Sequence, residues 1–304
     1  MRIAFFGTPD PAVPSLSAFI DDSDIDVAAV ITNPDRPAGR GHRLTPPPVK
    51  IAALDAGLPV FQPDQPSQIR QELIAMRLDA AAVVAYGSIL KPDILESSGH
   101  GFVNLHFSLL PAWRGAAPVA FGIAHGDTVG GVTCFRLDAG MDTGDILTQL
   151  PIQIDPDETA GALTERLAIL GAPELVRAVR GLVNGAITPQ PQAHDLATYA
   201  AKISSEDARI DWTLPAAVIH NRVRAYNPLP GAHTSIQGAR LKVHATRLTT
   251  GSGQPGHILR EDKGFPVVAC GEGAVTLVTV QPAGKPRMAG DAWANGYQPD
   301  RLGD

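Results

Sequence analysis

Short, almost unbroken apolar runs alternate with amphipathic ones along the first half of the chain. RIAFF (2–6), DVAAVIT (26–32), LPVFQP (58–63), DAAAVVAYG (79–87) and GFVNLHF (101–107) read as strands buried on both faces. Between them, 12–20, 50–57 and 67–76 show helical spacing, with Asp10 near the first start, Ser67 at the third and Gly57 closing the second. This alternation predicts an α/β domain with a parallel sheet covered on both faces. In such sheets ligands bind beyond the carboxyl ends of the strands.

The pattern then changes. Residues 157–185 read as two helical segments interrupted at Gly171-Ala172-Pro173 and closed by Gly185. The stretch 186–207 holds Pro189 and Pro191, lacks periodicity, and reads as an extended linker. A helix is expected over 214–226. Five short β-rich runs follow, AHTSIQ, RLKVHATRL, GHILR, FPVVAC and AVTLVTVQ, which predict a small barrel or sandwich. The expected division is a first domain over 1–188, a linker over 189–207 and a second domain over 208–304.

One strand breaks its own pattern. In VNLHFSLLP (103–111), period-2 alternation puts Asn104 and His106 on one face and Val103, Leu105 and Phe107 on the other. Taken alone, the pair fits a satisfied core histidine and a turn-capping Asn as well as it fits a site. A second feature changes the balance. LDAGMDTGDIL (137–147) places three carboxylates among glycines, of which Asp138 and Asp145 fit turn chemistry. An Asn, a His and an Asp together suit transfer of a small acyl group. The amide donates to a developing oxyanion, the imidazole moves a proton and the carboxylate orients the imidazole. Ser108 follows the His, but no G-x-S-x-G elbow surrounds it. A substrate amine attacking directly needs no enzyme nucleophile.

Composition narrows the classes. Of 304 residues, 44% are hydrophobic and 18% charged, which excludes a disordered chain. No apolar run approaches the roughly 20 residues of a membrane helix, so no membrane partner is expected, and Gly7, Pro9 and Pro11 cut the N-terminal run short of a signal peptide. Two isolated cysteines, Cys134 and Cys270, argue against a disulfide scaffold and a metal site and fit a reducing cytoplasm. The net charge of −6 argues against nucleic acid, yet it is unevenly spread. Residues 1–204 hold 14 Lys and Arg against 22 Asp and Glu, whereas residues 205–304 hold 11 against 9. The second part is therefore mildly basic, and Arg209, Arg222, Arg224, Arg240, Lys242, Arg247 and Lys285 could line a phosphate-tracking surface there. In the first part, the loop 33–50 carries Arg36, Arg40, Arg43 and Lys50 against Asp35 alone. Such a loop is either solvated surface or, leaving a strand's carboxyl end, a contact for RNA phosphates. Gly7 after the first strand invites a dinucleotide reading, but G-x-G-x-x-G is absent.

NLHFSLLPAWRGAAP (104–118) with GMDTGDIL (140–147) resembles the folate-dependent formyltransferases, which move a formyl group from 10-formyltetrahydrofolate to an amine. The resemblance implies Asn104, His106 and Asp142 as the catalytic set, with a protonated His106 helping Asn104 to hold the oxyanion. It implies Ser108, Leu109, Leu110 and Pro111 as a folate-contacting turn, and Tyr86 and Leu90 in a loop near the pterin. Trp113 and Arg114 read as a structural Trp and a surface Arg, or as substrate-facing residues. FFGTPD, TNPDRPAGRGHRLTPPPVK (32–50), KISSEDARIDW (202–212) and RAYNPLPGAHT (224–234) are similar to the members acting on methionyl initiator tRNA. That similarity implies a Rossmann-like first domain, an OB-like second domain, a monomer, and tRNA contacts from Arg36, Arg40 and Arg43. His42 stands where the family pattern has a second basic residue after Arg40. Two other readings stay on the table. The acceptor amine could belong to a purine-pathway ribonucleotide or a nucleotide sugar, or the chain could be a non-catalytic RNA-binding module. The DRPAGRG loop and β-rich tail weigh against the first, and the intact Asn104, His106 and Asp142 set weighs against the second.

Overall fold

The computed structural model describes residues 1–38, 43–262, 264–297 and 300–303. The chain forms two compact units, the first from 1–115, 129–153 and 164–199, the second from 116–128, 154–163 and 200–304.

The first unit is built on a seven-stranded sheet in the order Ile146–Gln153, Val129–Arg136, Phe102–His106, Ala80–Val84, Arg2–Gly7, Asp26–Ile31, Val60–Phe61. The last five run parallel, as their apolar runs predict. The first two are antiparallel and were not expected. Gly130, Gly131 and Pro151 disguise them as turns. Gly131 is there because the chain is crowded: a Cβ would lie 2.3 Å from the Leu150 carbonyl oxygen and 2.6 Å from the Leu109 side chain. The central strands are buried without a break, and Phe5, Phe6 and Phe102 are fully enclosed.

The two expected helical segments over 157–185 are one helix, Ala160–Val183, with Pro173 inside it. Pro173 lies on the exposed side, and Ile169, whose carbonyl loses its donor, is also exposed, so water can take that carbonyl. The buried side carries Gly171, where a Cβ would stand 3.0 Å from both Leu105 methyls. The stretch expected as an extended linker is extended but pinned. Gln190 bridges to Ile146, and Thr198 accepts the Arg114 backbone N–H at 2.9 Å.

In the second unit all five β-rich runs become strands of an antiparallel half-barrel sheet, in the order His233–Ile236, Ala239–Thr249, Ala274–Pro282, Phe265–Ala269, Ile258–Asp262. Helix Ala216–Ala225 packs on Ala239–Thr249 and against helix Pro118–His125. A last helix, Gly290–Tyr297, buries Trp293. Among the described residues no helix is long and apolar enough to cross a membrane.

Candidate active site

Strand Phe102–His106 lies between Ala80–Val84 and Val129–Arg136, pairing Asn104 with Val83 and Phe135, and His106 with Thr133. Leu105, on the opposite face, is spent on packing, so Asn104 and His106 share the remaining one. The Asn104 amide is half-buried and makes no side-chain hydrogen bond among the described residues. The His106 ring is 6% exposed and stands edge-on to Phe135. Its Nε2 lies 2.9 Å from the Trp113 carbonyl oxygen. A carbonyl can only accept, so Nε2 carries the proton and the neutral ring leaves a lone pair on Nδ1. Nδ1 is 3.8 Å from Asp142 Oδ2, an electrostatic neighbour rather than a hydrogen bond. Burial pushes the imidazole pKa below its ordinary 6.5, against the opposing pulls of Asp142 and the Trp113 carbonyl. That direction favours the neutral ring as the resting form.

Asp142 is held from behind. Its backbone sits at φ 55°, and Oδ2 accepts the Gly115 N–H at 2.7 Å. Gln192 donates its amide to the carbonyls of Asp142 (2.9 Å) and Gly144 (2.7 Å). Arg114 in turn donates to Gln192 Oε1 through Nε (3.1 Å) and Nη2 (2.6 Å), and Nη2 also lies 3.0 Å from His194 Nδ1. Arg114 is 2% exposed, so it is a buried strut rather than a surface or substrate-facing cation. Gly144 cannot be another residue, since a Cβ would meet the Arg136 carbonyl oxygen at 1.8 Å. Asp138 accepts from Gly140 and Thr143, and Asp145 pairs with Arg136, both local turn and surface contacts.

The 108–111 turn is fixed by strands the sequence reading missed. Thr133 Oγ1 donates to the Ser108 carbonyl (2.7 Å) and accepts the Leu110 N–H (3.0 Å), and Gln149 donates to the Leu110 carbonyl (2.8 Å). Ser108 Oγ donates back to the Ala112 carbonyl at 2.6 Å. Ser108 and Leu110 are buried by these contacts, and Leu109 and Pro111 keep partial exposure.

Tyr86 faces two ways. Its ring lies in the core, 5.4 Å from Phe6, and burial drives its pKa to about 12. What it offers the strand ends is its carbonyl, which accepts Thr8 Oγ1 (2.8 Å) and Asn33 Nδ2 (2.6 Å). Asn33 also accepts from Ser88 Oγ at 2.9 Å, tying three strand ends together. Leu90 packs partly buried on the core, while Ile89 is 86% exposed. Of the basic loop, Arg36 and Arg43 are exposed on a short hairpin, Arg36–Ala38 with Arg43–Thr45. Arg40 lies outside the described residues. Lys50 is bound to Asp35 at 2.8 and 2.9 Å, and Gln62 also donates to that carboxylate. Those bonds, Lys50 first, hold the Asp35 carboxyl below the usual range. Among the described residues no three His, Cys, Asp or Glu side chains gather to hold a metal ion.

The supports missed from sequence are Gln192, Thr133, Gln149 and Asn33. Each is a single polar residue whose partner lies far along the chain, and only Gln192, beside two prolines in an aperiodic stretch, carried any local signal.

Known proteins give the same outline. The family model described as formyl transferase matches residues 1–179, and the one described as formyl transferase, C-terminal domain, matches 202–298. The methionyl-tRNA formyltransferase of Stutzerimonas stutzeri (strain A1501) is 45% identical over 296 residues, covering 96% of this chain and 94% of that protein. That of Chloroflexus aggregans (strain MD-66 / DSM 9485) is 45% identical over 301 residues, covering 97% of each. Among solved structures, the N-formyltransferase from Helicobacter canadensis, in complex with folinic acid and dTDP-3-aminofucose, superposes with a TM-score of 0.68 at 20% identity, covering 93% of this chain and 99% of that one. At that identity the likeness is one of fold.

Proposed function

The chain belongs to the methionyl-tRNA formyltransferase family, and on that premise we infer that it transfers the formyl group of 10-formyltetrahydrofolate to the α-amine of methionyl initiator tRNA. The observation that carries this reading to particular residues is the Asn104 amide, without a side-chain hydrogen bond among the described residues, beside a His106 whose Nδ1 faces Asp142.

The residues present fit a formyl donor. Among the described residues the Asn104 amide has no acceptor, and Leu109 and Pro111 stand on a turn braced by Thr133 and Gln149. When bound, the folate supplies an activated formyl carbon with N10 as its leaving group. Asn104 Nδ2 donates to the formyl oxygen as negative charge builds there, in the low-dielectric setting where such a donor counts most. His106 Nδ1 takes the proton that the attacking amine sheds. The imidazolium so formed is stabilised by Asp142 and returns the proton to N10. The bond from the amine nitrogen to carbon forms, the bond from carbon to N10 breaks, and formylmethionyl-tRNA leaves with tetrahydrofolate. Nε2–H, held by Trp113, keeps the ring from turning during the transfer.

The first domain, 1–188, would carry folate binding and the chemistry, and 208–304 would hold tRNA across the connecting 189–207. Arg36, Arg40 and Arg43 would meet acceptor-stem phosphates. The protein would work as a monomer in the cytoplasm. The test is purified protein with 10-formyltetrahydrofolate and charged initiator tRNA, scored for formylmethionine. Absence of product would remove the assignment, and product on elongator methionyl-tRNA alone would remove the initiator preference.

A further inference from the structure

We propose that the second unit contains a phosphate site of its own, a cleft around Arg224 that takes a backbone phosphate of the tRNA. The proposal rests on the reading of the acceptor as tRNA.

The cleft has a volume of about 290 Å³ and lies where helix Ala216–Ala225, strand Ala239–Thr249 and the 157–159 segment meet. Beside the carboxylate of Asp157, its polar lining is Thr159, His220, Arg224, His244, Thr246 and Arg247. Four of these are more than nine-tenths buried: Arg224 at 8% exposed, His220 at 8%, Thr246 at 7% and His244 at 5%.

Arg224 is the informative member. Its Nε donates to Asn221 Oδ1 at 3.1 Å, but Nη1 reaches the carbonyls of Asp155 and Glu158 only at 3.5 and 3.4 Å. Among the described residues it forms no ion pair with a carboxylate. Asp157 and Glu158 act on it only from a distance, and burial destabilises its charged form. A buried guanidinium without a counter-ion is costly, and buried charges are normally paired. The missing partner is an anion, and the planar fork of donors suits a phosphate in two-point contact.

The neighbours fit the same ligand. His220 Nδ1 lies 3.0 Å from Thr246 Oγ1, so a hydroxyl and an imidazole are already aligned at the wall. His244 uses Nε2 on Gln281 at 3.0 Å and leaves Nδ1 buried with no partner. Arg247 stands exposed on the same strand, where a second phosphate of an extended backbone could reach it. The one acid at the cleft, Asp157, lies 3.5 Å from His220 with its side chain 88% exposed. The excess of 11 basic over 9 acidic residues in 205–304 gives the surroundings the matching sign.

Arg224 also steadies the 155–158 backbone, so Arg224→Gln is paired with Arg247→Ala, at an exposed position. Methionyl-tRNA affinity is measured against KCl concentration for the full chain and both variants, with melting temperature as the folding control. Each lost phosphate contact is expected to lower the slope of log K against log salt by about 1. The imidazole signals of His220 and His244 are followed by NMR as inorganic phosphate and then methionyl-tRNA are added. Phosphate is expected to move both signals and the tRNA to displace it. Unchanged slopes in both folded variants would overturn the site. Signals that respond to phosphate but not to tRNA would overturn the RNA assignment in favour of a free phosphate. Formylation by the unaltered chain, scored in parallel, separates these outcomes from failure of the enzymatic reading.

Discussion

Arg114 holds Gln192, and through it the loop that carries Asp142. The guanidinium fixes the Gln192 carbonyl oxygen at 2.6 Å, which aims the Gln192 amide at the carbonyls of Asp142 and Gly144. Gln192→Ala strands a buried cation, and we expect a loss of roughly 1.5–3 kcal/mol in urea unfolding. Turnover is expected to fall about tenfold to a hundredfold as Asp142 drifts. Gln192→Glu keeps an acceptor for Arg114 but has no donor for the two carbonyls. Stability should return in that variant while turnover does not, and recovery of both would remove the positioning role.

Asn104→Ala tests the oxyanion donor. Among the described residues the amide makes no side-chain hydrogen bond, so the unfolding midpoint should hardly move, while kcat should drop about 10²- to 10³-fold. Near-normal turnover would take Asn104 out of the mechanism.

The acid limb of the rate profile tests the neutral imidazole. Asp142 raises the His106 pKa, so Asp142→Asn should lower it, and the acid limb of kcat/KM should move to lower pH along with the fall in rate. A limb that stays in place would mean that another group controls it.

Much of this was legible in the chain, for identifiable reasons. Alternation alone put Asn104 and His106 on one face, because the strand's other face had to be apolar. The parallel strands were legible because burial on both faces leaves no polar residues in them. The antiparallel strands were not, since Gly131 answers to a crowded neighbour and not to strand propensity. Pro173 suggested a break that exposure makes unnecessary. The burial of the Tyr86 ring against Phe6 was not legible, because a Tyr at a strand end reads equally well as core or as surface. The bracing of Asp142 was invisible because Arg114 and Gln192 lie 78 residues apart, and nothing local predicts which distant polar groups will pair.

Buried neutral histidines set the pH range of the fold. His106, His220 and His244 all have their pKa lowered, with burial the first cause. Below the ordinary value of 6.5 the unfolded chain therefore binds more protons than the folded one, and stability is lost as pH falls from there. The melting temperature should be nearly level above pH 7 and decline as the pH falls below about 6.5. His220→Gln should flatten that decline, and an equally steep one would assign it to other groups.

Arg43→Ala tests the exposed hairpin. It should weaken methionyl-tRNA binding and lower the salt slope by about 1, leaving the melting temperature within about half a kcal/mol equivalent. An unchanged slope would exclude Arg43 from the RNA contact.

The approach of Gly171 to Leu105 links two positions 66 residues apart by size alone. The strand that presents Asn104 and His106 rests on its reverse side against a helix with no clearance for a methyl group. Side-chain volume at 105 and at 171 is therefore a shared quantity. A lineage that enlarges one must shrink the other to keep the same reaction geometry, and the record of that exchange would lie in the co-variation of two residues that touch neither substrate.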